Sequence, residues 1–306
     1  LAIVSAAIVA FIIYTMTLGK IREIAVLKLI GTKNRTIANM ILQQALGLGV
    51  IGFVIGKVAA TLAAALSRAG YRVTSVASRS FVSAQNLAAR LDGCKAFEGQ
   101  QAVVDACDLV FITTPDDAIA GVAAGLKWRP GQAAVHCSGA DSSATLSAAE
   151  GQGAATGVFH PLQSFAGDVD DTAKLRGITF SIEAAEPLLS RLKDMAEALG
   201  GRWVVLSADD KVLYHAAAVI ACNYMVTLVN LATGLWARFG VDGKEATAAL
   251  LPLMKGTLAN IENVGLPDCL TGPIARGDTG TVIKHLKAIH TRAPEVEKAY
   301  RALGLA

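Results

Sequence analysis

The stretch that decides the fold is residues 37–72, IANMILQQALGLGVIGFVIGKVAATLAAALSRAGYR. Its first twenty residues, 37–56, carry no charge and are about long enough to cross the hydrocarbon core of a membrane. The same residues also suit the opening of a nucleotide-binding fold. In that interpretation residues 50–55 form a buried strand, Gly56 turns the chain and residues 57–69 form a helix. The two interpretations exclude each other.

Composition limits the class of protein. The chain has 306 residues, enough for one large or two ordinary domains. Hydrophobic residues make up 53% and charged residues 17%, and the apolar excess lies before Gly56, where Glu23 is the only acidic residue. A net charge of +3 is too small to indicate a nucleic-acid partner. The five cysteines have no paired or metal-like spacing, which predicts reduced thiols in the cytosol and no metal site.

Residues 1–56 have the pattern of a membrane hairpin. Residues 1–18 are uncharged, and the basic segment after them is predicted to face the cytoplasm. Residues 17–52, TLGKIREIAVLKLIGTKNRTIANMILQQALGLGVIG, resemble the FtsX-like permease subunits of ABC transporters. The resemblance implies that residues 1–49 are a fragment of such a permease and that they tether the chain to a membrane. A buried helical hairpin is the alternative.

From Lys57 onward, strand and helix patterns alternate, which predicts an α/β domain with a doubly wound parallel sheet over residues 50–207. An all-helical domain is predicted over residues 208–306. The predicted strands are residues 71–77, 108–113, 133–136, 157–160, 178–182 and 203–206, and the helices between them include residues 83–91 and 187–199. Ligands of such sheets bind at the carboxyl ends of the strands. Thr114, His136, Ser138 and His160 follow or end predicted strands, so they are expected to lie at this edge.

The cofactor signal in the sequence is mixed. Gly56 has the place of the second glycine of a dinucleotide fingerprint, whereas Val54 occupies the first-glycine position. After the second predicted strand come Ser78, Arg79 and Ser80. An arginine and two hydroxyls suit the 2′-phosphate of NADP, although a plain surface arginine is an equally good interpretation.

Residues 57–306 also resemble a family of Rossmann-like oxidoreductases with a helical C-terminal domain of unknown function. The matching motifs are VASRS (76–80), TTPDDAI (113–119), VHCSGA (135–140), FHPLQSFAG (159–167), LYHAAAVIACNY (213–224) and LTGPIARGD (270–278). The resemblance implies NADP or a deazaflavin as the cofactor, and a relationship to 6-phosphogluconate dehydrogenase and pyrroline-carboxylate reductase. The resemblance implies a cofactor site made of Gly56, Lys57, Val58, Ser78, Arg79, Ser80, Thr114 and Pro115. Cys222 stands where the family has serine.

The candidate catalytic residues are His215, Asn223, His160 and Ser138. His215 is the first candidate for acid–base work, because imidazole titrates near neutral pH and Asn223 is expected on the same helix face. His160 is the second, and Ser138 either contacts the substrate or caps a turn. Each histidine has a plain structural alternative.

The sequence therefore predicts an NADP-dependent oxidoreductase of a small molecule, dimeric through its helical domain. A non-catalytic nucleotide-binding sensor and a permease fragment are the alternatives.

Overall fold

The computed structural model describes residues 58–165 and 171–305. The predicted permease hairpin, the strand at residues 50–55 and the turn at Gly56 lie outside the described residues. The chain divides into two compact units, with the boundary between His215 and Ala216, inside the helix Asp210–Ala218.

The first unit alternates strands and helices. Its helices are α1 (Val58–Arg68), α2 (Phe81–Ala88), α3 (Gln100–Ala106), α4 (Asp116–Ala124), α5 (Ser147–Glu150), α6 (Leu188–Ala198) and α7 (Asp210–Ala218). Its strands are β1 (Ser75–Ala77), β2 (Lys95–Phe97), β3 (Leu109–Ile112), β4 (Ala133–His136), β5 (Ala155–Pro161), β6 (Thr179–Ala184) and β7 (Arg202–Val205). Helix α1 ends where it was predicted to end, because Gly70 adopts a positive φ of 90° and the Tyr71 N–H closes back onto the Leu66 carbonyl.

The strands form two sheets in the described part of the chain. β1 and β2 pair in parallel, and the other strands form a five-stranded sheet in the order β3-β4-β5-β6-β7. One pair departs from the predicted parallel sheet: β6 is antiparallel to β5, with His160 opposite Ser181. The described part of the connection between β5 and β6 contains a short 3-10 helix, Asp171–Leu175, and not the α-helix that usually forms a parallel crossover. The prediction of an all-parallel sheet was wrong at this pair.

The sheet has an apolar layer on each face. On one face α1 and α6 pack against β5 and β6, with Phe159 and Phe180 stacked at a centroid distance of 4.6 Å. On the other face α4 and α5 pack against β3 and β4 around Leu146 and Ile119. Because both faces are covered, the central strands read as continuous apolar runs in the sequence. Ligand access is therefore left to the strand ends.

A cavity of about 670 Å³ lies between the two sheets. It is lined by α1, by residues 70–77 around β1 and by residues 106–114 around β3. In the described part of the chain, β1 pairs only with β2, and β3 pairs only with β4. Each of these two strands therefore has one edge without a strand partner there, and both line this cavity, which we call the inter-sheet slot.

The second unit is helical. It contains a π-helical turn, Val219–Asn223, followed by α8 (Tyr224–Ala237), α9 (Gly243–Val264), α10 (Gly272–Ala275), α11 (Thr279–Arg292) and α12 (Pro294–Leu303). Asp242 caps α9 by accepting the N–H groups of Lys244 and Glu245. Among the described residues of this unit, only Ala246, Ile289, Ala293 and Val296 are buried.

Candidate functional site

Loops from neighbouring strands meet at the carboxyl edge of β3, β4 and β5. Ser138, two residues after β4, is 3% exposed, and its Oγ lies 2.9 Å from Asp116 Oδ2 and 3.0 Å from Asp141 Oδ2. The Asp141 N–H donates to the same oxygen at 3.1 Å. A hydroxyl has one proton, so Ser138 donates to one carboxylate at a time. Ser138 thus ties the loop after β3 to the loop after β4, and its predicted contact with a substrate stays a prediction.

His136 supports this edge as a neutral imidazole. Its Nδ1 accepts the Ser138 N–H at 3.1 Å, and its Nε2 lies 3.0 Å from the Ser142 carbonyl oxygen. A carbonyl only accepts, so Nε2 carries the proton. Burial lowers the pKa of His136. A neutral ring agrees with the hydrogen bonds, because a proton on Nδ1 would break the bond that this nitrogen accepts from the Ser138 N–H. Both nitrogens are occupied, and we interpret His136 as structural.

His160, near the end of β5, pairs with Tyr214 of α7. The distance from His160 Nδ1 to Tyr214 Oη is 3.0 Å, and the two rings are perpendicular. Burial, with the charge of Lys211 and the nearby His215 adding to it, lowers the pKa of His160 to about 3. Burial also raises the pKa of the Tyr214 hydroxyl. Both rings are uncharged at neutral pH, so a role for His160 as an imidazolium acid is disfavoured.

His215 lies beside His160, and Gly139 fits tightly against both rings. The His160 and His215 ring centroids are 6.4 Å apart. A Cβ on Gly139 would lie 2.6 Å from His215 Nδ1 and 2.9 Å from His160 Nε2. His215 Nδ1 is buried and has no hydrogen-bond partner among the described residues. Two of the predicted catalytic residues are thus brought together, at a position where a side chain larger than hydrogen does not fit.

Lys211 is a buried charged residue near His160 that was not predicted from the sequence. It is 1% exposed, on the first turn of α7, and in the described part of the chain its Nζ forms no hydrogen bond or ion pair. Burial lowers the pKa of Lys211, and the carboxylates of Glu183, Asp141 and Asp116 oppose that effect. A buried ammonium without a close partner is costly, which makes Lys211 a candidate for contact with a ligand.

Cys137, next to Ser138, is not a candidate nucleophile. Burial raises the pKa of its thiol to about 12, and the Asp116 carboxylate adds to the increase. The thiolate is the reactive form of cysteine, so Cys137 is inert at neutral pH.

The predicted cofactor residues lie at the ends of β1 and β3. Ser78, Arg79 and Ser80 follow β1, and the Ser80 hydroxyl caps α2 by accepting the Ser83 N–H. Arg79 is exposed. Thr114 and Pro115 follow β3, and Thr114 Oγ1 is buried without a hydrogen-bond partner among the described residues. Val58 begins α1, whereas Gly56 and Lys57 lie outside the described residues.

Asn223, the remaining predicted catalytic residue, belongs to the second unit. It ends the π-helical turn in the second unit and its side chain is exposed. Its predicted pairing with His215 stays a prediction. The sequence also missed Asp116, Asp141, Glu183, Lys211 and Tyr214. A signal existed for two of them: Lys211, Tyr214 and His215 have the i, i+3, i+4 spacing of one helix face.

No group of three or more histidine, cysteine or acidic side chains suited to a metal ion occurs within residues 58–165 and 171–305.

The pKa of His160 predicts that the protein loses stability in acid. A histidine in the unfolded chain titrates near 6.5 and His160 near 3, so between these pH values the unfolded state binds more protons. Stability is fully present above about pH 6.5 and falls as the pH drops, by about 3 kcal/mol at pH 4 from this residue alone. Urea unfolding of the wild type and of His160→Gln at pH 7 and pH 4 measures the effect.

The variant should lose much of the pH dependence, whereas the matched His285→Gln change on exposed α11 should keep it. Equal slopes for all three proteins would contradict the assignment.

Two family models match the chain. Residues 33–161 match the Rossmann-like domain, and residues 178–306 match a domain of unknown function, DUF2520. The protein thus combines a Rossmann-like α/β domain with a helical C-terminal region, as predicted. A search of the curated proteins found no match.

Solved structures share this architecture. A candidate NADP oxidoreductase from Bacteroides fragilis is 25% identical, with a TM-score of 0.62, over 81% of this chain and 93% of that one. Protein TM1727 from Thermotoga maritima is 29% identical, with a TM-score of 0.63, over 80% of this chain and 95% of that one. A reductive aminase from Aspergillus terreus, solved with NADPH, is 13% identical, with a TM-score of 0.59, over 81% of this chain and 89% of that one. At this identity the likeness concerns the fold alone.

These comparisons do not support the permease resemblance, the membrane tether or a fusion. The Rossmann-like match begins at residue 33, inside the stretch that resembled a permease. One helix of the described residues, Asp210–Ala237, is long and apolar enough to cross a membrane, with a mean hydropathy of 1.7. Helices packed inside proteins meet the same criterion, so this is weak evidence for a span.

Proposed function

We propose that the protein is a cytoplasmic NADP-dependent oxidoreductase that transfers a hydride to or from a small molecule at the carboxyl edge of β3–β5. The observation that carries the proposal is the cluster of Lys211, His160, Tyr214 and His215 at this edge, where sheets of this kind bind their ligands. The likeness to the Bacteroides fragilis protein supports it.

The residues after β1 and β3 fit NADP. Ser78, Arg79 and Ser80 offer a cation and two hydroxyls for the 2′-phosphate, and Thr114 Oγ1 is a buried hydroxyl that a ligand would satisfy. The reduced nicotinamide supplies the hydride. The protein's own residues then have to orient the substrate and deliver a proton to its heteroatom.

Lys211 is the proposed proton donor. Its ammonium is buried and unpaired in the described structure, and burial lowers its pKa, which brings a lysine closer to the working range of a general acid. On reduction of a carbon–oxygen or carbon–nitrogen double bond, Lys211 gives one proton to the heteroatom and is left as a neutral amine. His160 is less suited to that step, because its imidazolium does not form at neutral pH.

The cofactor assignment predicts a selective loss of NADPH affinity in Arg79→Ala. We expect NADPH, followed by its fluorescence, to bind the full chain at micromolar concentration. Loss of the charge-assisted contact with the 2′-phosphate should weaken NADPH about tenfold and leave NADH unchanged. Arg90→Ala, an exposed arginine just after α2, is the matched control and should bind both cofactors like the wild type. No binding of the wild type at millimolar NADPH would exclude the proposed function.

A second candidate function is a nucleotide-binding protein without turnover. Val54 at the first-glycine position favours it, because that glycine makes the tight turn of the fingerprint and a β-branched side chain opposes such a turn. Such a protein would bind NADPH but would not oxidise it with any carbonyl or imine offered.

We further propose that the helical unit pairs with a second copy of the chain. The described residues of this unit form only a small core around Ile289, Ala293 and Val296, and large apolar side chains of its helices are at least 40% exposed. Those on the π-helical turn, α8 and α9 are Ile220, Tyr224, Val226, Leu228, Leu251, Leu253, Leu258, Ile261 and Val264.

If the helical units pair, the wild type should sediment as a dimer and the Leu253→Asp variant as a monomer. Leu253 is 68% exposed on α9, and a charge placed in an apolar interface is strongly unfavourable. Leu305→Asp, on the exposed C-terminal residues, is the matched control and should remain dimeric. A monomeric wild type at micromolar concentration would contradict the pairing.

A further inference from the structure

The pair of His160 and Tyr214 is unlike an ordinary acid–base histidine. Tyr214 Oη meets His160 Nδ1 at 3.0 Å, so one imidazole nitrogen is engaged inside the protein. The other, Nε2, has no hydrogen-bond partner among the described residues and packs beside Gly139. The histidine is thus fixed at one nitrogen and left available at the other.

The protonation states of the pair restrict what it does. His160 stays neutral and Tyr214 stays protonated at neutral pH, so the ring carries one N–H and the phenol one O–H. If the phenol donates to Nδ1, the imidazole proton resides on Nε2. A neutral imidazole in that form is a hydrogen-bond donor that polarises a double bond without giving up its proton.

We infer that His160 Nε2–H donates a hydrogen bond to the heteroatom of the substrate's carbon–oxygen or carbon–nitrogen double bond, and that Tyr214 is the positioning residue that holds the imidazole in this tautomer. The inference rests on the proposed function and adds a division of labour to it. His160 polarises the double bond and keeps its proton, while Lys211 supplies the proton that the product gains.

The tautomer is measured directly by nitrogen-15 NMR of the full chain labelled at histidine, without cofactor or substrate. At pH 7 we expect His160 to be neutral with its proton on Nε2. Tyr214→Phe keeps the ring and removes the phenolic donor, so the proton should distribute over both nitrogens, while the His285 and His290 signals stay unchanged. A proton on Nδ1 in the wild type, or an imidazolium at pH 7, would overturn the inference.

Two substitutions at His160 separate polarisation from acid catalysis in NADPH oxidation with 1-pyrroline or cyclohexanone. Glutamine keeps a neutral N–H donor, so His160→Gln should retain about a tenth of the wild-type kcat. His160→Leu has no donor and should lose at least a hundredfold, with the NADPH affinity of both variants unchanged. If glutamine is as inactive as leucine, His160 acts as an acid and the inference is wrong.

The NMR result and the proposed function can fail separately. Failure of NADPH to bind would exclude the oxidoreductase while leaving the measured tautomer intact. NADPH binding together with the wrong tautomer would exclude only the role given to His160 and Tyr214.

Discussion

Gly139→Ala should inactivate the protein while leaving it folded. The new methyl group would lie 2.6 Å from His215 Nδ1 and 2.9 Å from His160 Nε2, and real carbon atoms do not approach that closely. Both rings must therefore move. Displacing reacting groups by about 1 Å is enough to lower turnover about a hundredfold. Overpacking should cost only about 1–3 kcal/mol of stability, so the fold survives.

The readout need not depend on an identified substrate. The imidazole NMR signals of His160 and His215 should both shift in Gly139→Ala, and NADPH oxidation with 1-pyrroline or cyclohexanone should fall with them. Gly121→Ala is the matched control, because a Cβ at this position in α4 meets no atom within 4 Å. That variant should gain up to about 1 kcal/mol from helix propensity and keep the wild-type signals. Unchanged histidine signals in Gly139→Ala would contradict the close packing described above.

Lys211→Met should abolish turnover without loss of stability. The lowered pKa of Lys211 means that its surroundings disfavour the charge more than the three nearby carboxylates favour it. An apolar side chain of similar length removes that cost, and replacements of this kind are often neutral or stabilising by about 1 kcal/mol or more. Loss of a proton donor should lower kcat by a factor of about 10² to 10⁴.

Thermal unfolding and NADPH oxidation of the same preparation measure the two effects. Lys193→Met is the matched control: its ammonium lies 4.3 Å from the centre of the exposed Trp203 ring on the edge strand β7, and turnover should not change. The assignment predicts opposite responses of stability and activity. If the Lys211→Met protein is several kcal/mol less stable and still active, Lys211 stabilises the fold and is not the proton donor.

Much of the α/β unit could be predicted from local pattern. The strands β3 and β4 are short apolar runs between turns, and α1 ends at a glycine, so their residues alone indicate them. The direction of β6 could not be predicted, because strand polarity depends on the path of the chain and not on the residues of the strand.

The candidate site was predictable only in part. His160, His215 and Ser138 could be predicted because they are polar residues that lie at predicted strand ends or in the motifs of the family resemblance. Lys211 and Tyr214 were missed because only the folded structure shows that Lys211 is buried and Tyr214 half-buried beside the site. From the sequence alone, a lysine is expected at the surface. Gly139 could not be predicted for the same reason. Only glycine fits at this position because β5 and α7 place the His160 and His215 rings against it.

The inter-sheet slot also bears on how the α/β unit holds together. β1 and β3 line it, and each has one edge without a strand partner in the described part of the chain. The backbone groups along such an edge pair with an extended segment that reaches them. A single strand that paired with both edges would join the two-stranded sheet and the five-stranded sheet into one, so the hydrogen bonds of one segment would link the folding of both.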